Sequence, residues 1–195
     1  SVEKLEESGE LTPEQIAELM ANPLSFLWFG QIQNETSWWD GDLLDLVDKN
    51  ERRMNTVRIQ PTMSMQLSEE WKMIFRPVIP INSFDTIKGF DVITADPDEG
   101  PLVVSDWDRE TGLGDIVLWT AFSNHYQPPF VYGFGPTLML DTASRDELGT
   151  GKWSAGPMGL VSYITDKWIL GSIVQHWWSF AGDSDRDSVN LTDYQ

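Results

Sequence analysis

The chain has no cysteine, so disulfides, thiolate metal sites and cysteine nucleophiles are excluded. Positive charge is scarce: 13 Lys and Arg stand against 31 Asp and Glu, a net charge of −18. A surface this acidic repels a phosphate backbone, and no nucleic-acid partner is expected. Histidine occurs only at His125 and His176, neither with an acidic neighbour. A turn residue and an aromatic-belt residue are expected there, not metal ligands. No run reaches the roughly 18 apolar residues of a transmembrane helix. Catalytic patterns are missing as well. "GLGDI" (112–116) lacks the lysine of a phosphate loop and a helix behind it. Ser123, Ser154 and Ser179 show no nucleophile elbow. Neither an enzyme nor a cofactor is expected.

What is abundant is tryptophan, 10 residues in 195, together with a two-residue period. In 54–67, "MNTVRIQPTMSMQL", Val57, Ile59, Pro61, Met63, Met65 and Leu67 alternate with Thr56, Arg58, Gln60, Thr62, Ser64 and Gln66. After "SEE" comes "WKMIFRPVIPIN" (71–82), with Trp71, Met73, Phe75, Ile79 and Ile81 on one face and Lys72 and Arg76 on the other. Strict alternation predicts strands, and the three-residue turn predicts a hairpin with Leu67 opposite Trp71. That register places Arg58 opposite Pro80 and Arg76 opposite Thr62. Further strands are expected at about 25–35, 112–124, 130–141, 153–165, 168–181 and 189–195. Residues 1–23 differ: Thr12-Pro13-Glu14-Gln15 reads as a helix start, Ile16, Leu19 and Met20 share a face, and Asn22-Pro23 ends it.

The connections alternate. Short ones are expected at 68–70, 125–129 and 166–167, and longer, acidic ones at 36–53, 85–111, 142–152 and 182–188. All long loops then leave one end and all short turns the other. Twelve residues rise about 40 Å along a strand, or roughly 30 Å along the axis of a tilted barrel, which matches a bilayer core. Trp71, Phe130 and Trp168 open strands at the short-turn end, whereas Trp153, Trp178 and Phe180 lie at the long-loop end. Two such girdles suit indoles in the headgroup layers. The expected fold is all-β: an antiparallel up-and-down transmembrane β-barrel over 24–195, preceded by a short periplasmic amphipathic helix in 1–23. The final segment is short and ends without an aromatic, so the barrel is expected to be incomplete at the C-terminus. The alternative is a soluble or surface β-protein that binds carbohydrate through its tryptophans.

Three motifs, "GLGDI" (112–116), "GFGPTLMLDTASRDELGTGKWSAGP" (133–157) and "WSFAGDSDRDSVN" (178–190), resemble the bacterial outer-membrane family named for the meta-pathway of phenol degradation. The likeness spans about 24–195 and departs at Asp141, where the family usually has Pro. It implies a porin-like barrel in the outer membrane of a Gram-negative bacterium, with the N-terminus and short turns periplasmic and the long acidic loops extracellular. It also implies transport of small molecules, hydrophobic ones among them, so the expected partners are outer-membrane lipid and a small-molecule solute.

Charge on a lipid face costs several kcal/mol, so Arg58, Lys72 and Arg76 are expected to face the lumen. Glu35, Gln60, Asp115 and Asp141 complete the candidate lining. Two roles stay open for these residues: ion pairs that brace a filled interior, or charges along a permeation path. "DSDRDS" (183–188) spaces Asp183, Asp185 and Asp187 like the first ligands of a calcium loop. Ser188 stands where such a loop needs Gly, and Tyr194 where it needs Glu. A solvated acidic loop is the expectation.

Overall fold

Residues 54–67 and 71–82 form the hairpin that their alternation demands. The computed structural model of the chain describes residues 28–39, 52–96, 100–124, 129–165 and 167–195. The expected helix in 1–23 and His125 lie outside them. Among the described residues there are nine strands: β1 (Phe29–Trp39), β2 (Arg52–Gln66), β3 (Trp71–Asp96), β4 (Gly100–Leu113), β5 (Ile116–Asn124), β6 (Phe130–Leu140), β7 (Lys152–Ile164), β8 (Ile169–Gly182) and β9 (Asn190–Tyr194). Among the described residues the only helical element is a 3-10 turn at Asp146–Leu148. All pairings are antiparallel. The order β1-β2-β3-β5-β6-β7-β8-β9 follows the chain, with β4 paired to β3 off that path. The sheet curls into a half-barrel.

The hairpin register is Met63 opposite Phe75 and Arg58 opposite Pro80, with the Leu67 N–H donating to the Trp71 carbonyl at 3.0 Å. Ser68 closes the turn, its hydroxyl accepting from the Glu70 and Trp71 amides.

The long loop expected at 85–111 is instead structure. β3 runs on to Asp96 and β4 returns along it. Beyond Phe84, the last β3 residue paired with β2, β4 is its only partner among the described residues. Farther down, the edge of β3 that β4 occupies is taken by β5. Gly114 and Asp115 form the step between them, and the Gly114 N–H donates to the Pro80 carbonyl at 2.9 Å. The strand expected over 112–124 is therefore split at this step, and nine strands replace eight.

"GLGDI" and the loop 141–151 build one unit around that step. The Asp115 carboxylate accepts from the amides of Thr142 (3.3 Å), Ala143 (3.2 Å) and Thr150 (2.6 Å) and from the Thr150 hydroxyl (2.8 Å). Arg145 pairs with Glu110 at 2.6 Å, and Leu148 is buried. A Cβ on Gly112 would fall 2.2 Å from the Ser144 hydroxyl, so glycine lets the loop settle there. Arg186, from the loop after β8, donates to the carbonyls of Asp146 and Gly149 and ties the neighbouring loop to this one.

The glycines inside strands have a different cause. A Cβ on Gly135 would lie 1.9 Å from the Thr120 carbonyl oxygen, and one on Gly156 1.8 Å from that of His176. Pro136 and Pro157 face each other beside them. Backbone contact of this kind marks a sharp bend in a curled sheet. These two glycines serve strand approach, not space in the interior.

Large apolar residues stand exposed on the outer face, while the inner face buries polar residues beside apolar ones. In β6, Phe130, Tyr132, Phe134, Pro136 and Leu138 are exposed, whereas Val131, Gly133, Thr137 and Met139 are buried. In β7, Ser154 and Ser162 are buried while Trp153, Val161 and Tyr163 are exposed. Thr56, Gln60, Thr62, Lys72, Arg76, Ser123 and Gln175 are also buried on the concave side.

Candidate functional site

The concave face has two parts. Toward the short turns, Ile74, Trp119, Ala121, Val131, Met158, Leu160 and Ile164 form an apolar cluster, with Val78 and Ile173 packed against it. Above it lies a cavity of about 560 Å³ whose walls come from both sides of the half-barrel. Trp119, Val78 and Ile173 belong to both parts, so the cluster is the cavity floor.

One wall is the polar face of β1–β3. Arg58 Nη1 pairs with Glu35 Oε2 at 2.5 Å, and Gln60 donates to Gln33 at 3.2 Å. Arg76 reaches past β2, its Nη2 donating to Gln31 Oε1 on β1 at 2.6 Å. Its guanidinium carbon lies over the Trp119 ring, 5.4 Å from the centroid, within cation–π range. The side chain is only 8 % exposed, and Nε has no hydrogen-bond partner.

The opposite wall is a relay across β6, β8 and β9. Trp177 Nε1 donates to Thr137 Oγ1 at 3.1 Å, and Thr137 donates to Gln175 Oε1 at 3.3 Å. Gln175 Nε2 then donates to Asp193 Oδ2 at 3.4 Å, and Gln195 Nε2 donates to the same oxygen at 2.7 Å. Between the two walls the lining is apolar, from Val117, Met139 and Trp177 together with the floor.

Of the expected lining residues, Glu35, Arg58, Gln60 and Arg76 thus meet in one cavity. Lys72 is buried on the same strand as Arg76 but nearer the turn, opposite Gln66 and Ser123. Asp115 stands apart, because the converging amides of loop 141–151 hold its carboxylate at the step. Asp141 follows the end of β6, half-buried, at the start of that loop. Gln31, Gln33, Trp119, Gln175, Trp177 and Asp193 were not among the residues singled out from sequence. A signal for one exists: the dipeptide Trp177-Trp178 in an alternating strand must put one indole on each face.

The aromatics occupy the ends. Phe130, Trp168 and the half-buried Trp71 lie at the short-turn end, with Trp71 edge-on to Tyr132 and Phe134. Trp153, Trp178 and Phe180 are exposed at the other end, and His176 packs on Trp178 and bonds Thr192 at 2.7 Å. Asp183, Asp185 and Asp187 form no cluster, since among the described residues no three acids or histidines gather as a metal site. Asp183 Oδ1 instead accepts from the Asp185 amide at 2.9 Å.

No protein-family model, curated protein or solved structure matches this chain.

Proposed function

We propose that this chain forms an outer-membrane β-barrel that passes small solutes along its concave face. The observation that carries the reading is an apolar face left exposed while polar residues are buried inside. Ile32, Phe134, Val161 and Leu170 face outward and exposed, while Thr137, Ser154 and Ser162 are at most 1 % exposed on the inner side. In water this arrangement leaves a large apolar surface uncovered. In a bilayer the same surface meets acyl chains, and the exposed aromatics at both strand ends reach the headgroup layers. The short turns would then be periplasmic and the acidic loops extracellular. In that setting β1 and β9 each require a hydrogen-bonding neighbour, because lipid offers none. The transport part of the proposal draws on the motif resemblance and on a cavity with both polar and apolar lining.

Fractionation and gel migration test the membrane reading. The purified protein should need detergent, remain β-rich and change its migration on heating. A protein that stays monomeric in plain buffer rejects the proposal. Liposome flux with anionic, cationic and neutral solutes then tests transport, and a folded protein that passes none of them limits the barrel to a structural role.

A further inference from the structure

We propose that the cavity binds a small monocarboxylate with an apolar body, its carboxylate held by Arg76. This deepens the transport reading by naming a solute class, and rests on it for biological sense. Binding itself can be measured whether or not solute crosses.

Arg76 is buried and cationic, and no carboxylate among the described residues pairs with it. Glu35 is engaged by Arg58, and Asp193 by Gln175 and Gln195. Gln31 accepts one guanidinium hydrogen and leaves the charge uncompensated, while Nε has no acceptor at all. A buried charge in this condition is costly unless an anion joins it. A guanidinium recognises a carboxylate through charge-assisted hydrogen bonds that match its planar donors.

The rest of the lining selects the remainder of the ligand. Glu35 and Asp193 also face the cavity, so a multiply charged anion would meet repulsion there. Val117, Trp119, Met139, Ile173 and Trp177 offer apolar surface beside the guanidinium. The polar groups lie on the two facing walls with apolar surface between them, and about 560 Å³ is within the usual range of small-molecule pockets. A single negative charge on a compact hydrocarbon body satisfies all three features.

Calorimetric titration of the detergent-solubilised full chain tests this with two probes of one shape, cyclohexanecarboxylate and cyclohexanecarboxamide. The wild type should bind the carboxylate at least tenfold more tightly. Equal affinities, or no binding of either, overturn the proposal. Arg76→Gln should bind the two probes with equal affinity, whereas a carboxylate preference that survives overturns the role of Arg76. Sodium sulfate at equal concentration should compete poorly. If it displaces the carboxylate fully, the site takes a bare anion and the monocarboxylate assignment fails. The wild-type comparison and the sulfate competition decide the question even if Arg76→Gln does not fold. Lost flux with the carboxylate preference intact counts against transport and not against this site.

Discussion

Two halves of one concave face behave differently. The half near the short turns is closed with Ile74, Val131, Leu160 and Ile164, each at most 5 % exposed. The half above it keeps a cavity, and its walls are amides, hydroxyls and charges bonded to one another. Strands β3, β5, β6 and β8 contribute to both halves, whereas β1, β2 and β9 line only the cavity and β7 only the floor. The difference lies in which inward residues are long and polar, and in the bend at Gly135 and Gly156 that lies where the halves meet. In this sheet, dryness is a local property set residue by residue.

Removing the bend should have the largest effect. In Gly156→Val, a branched side chain would be driven into the His176 carbonyl, where even a Cβ sits at 1.8 Å. β7 and β8 cannot separate locally, because both continue paired on each side of this point. A loss beyond about 4–5 kcal/mol, enough to abolish folding, is expected. Refolding yield, read by far-UV circular dichroism and by heat-modifiable migration, checks it. A variant that refolds like wild type would show that the strands part easily there.

Next comes the contrast between floor and wall. Leu160→Ala opens a hole in the closed half and should cost about 2–5 kcal/mol. Met139→Ala, on the cavity lining, removes a side chain that already borders open space. Fewer contacts are lost, and about 1 kcal/mol is expected. Chemical denaturation of both variants in the same detergent measures the difference. Equal losses would mean that the upper half is as tightly packed as the lower.

The same contrast explains what could be read from sequence. The hairpin register was legible because a period of two and a three-residue turn leave one pairing that keeps both apolar faces together. The ribbon of β3 and β4 was not. Past Phe84 that part of β3 is paired with β4 alone among the described residues. Apolar alternation is imposed by two faces of unlike solvent. The partner of Arg76 was hidden too. Asp115 is close along the chain of strands, but a carboxylate beside free amides goes to those amides, and loop 141–151 presents them. Gln31 gave no charge signal to weigh against it. Asp193 was invisible for another reason: its role depends on β9 lying beside β8, and β9 pairs over only five residues.

The smallest effect is expected at the Glu35–Arg58 pair. Its 2.5 Å contact is short, yet the two side chains are 49 % and 32 % exposed. Water screens such a pair, so Glu35→Gln should cost only about 0–1 kcal/mol, with the amide oxygen still able to accept from Arg58. The variant therefore separates stability from field. Denaturation midpoints should barely move. Removing one negative charge from the cavity leaves Arg58 and Arg76 opposed by Asp193 alone, so the preference for anionic over neutral probes should rise. Fixed charges along a solute path act on the solute in this way even when they add little to folding. If Glu35→Gln instead unfolds the protein, the pair is a dry brace and the wall at β1–β2 belongs with the closed half.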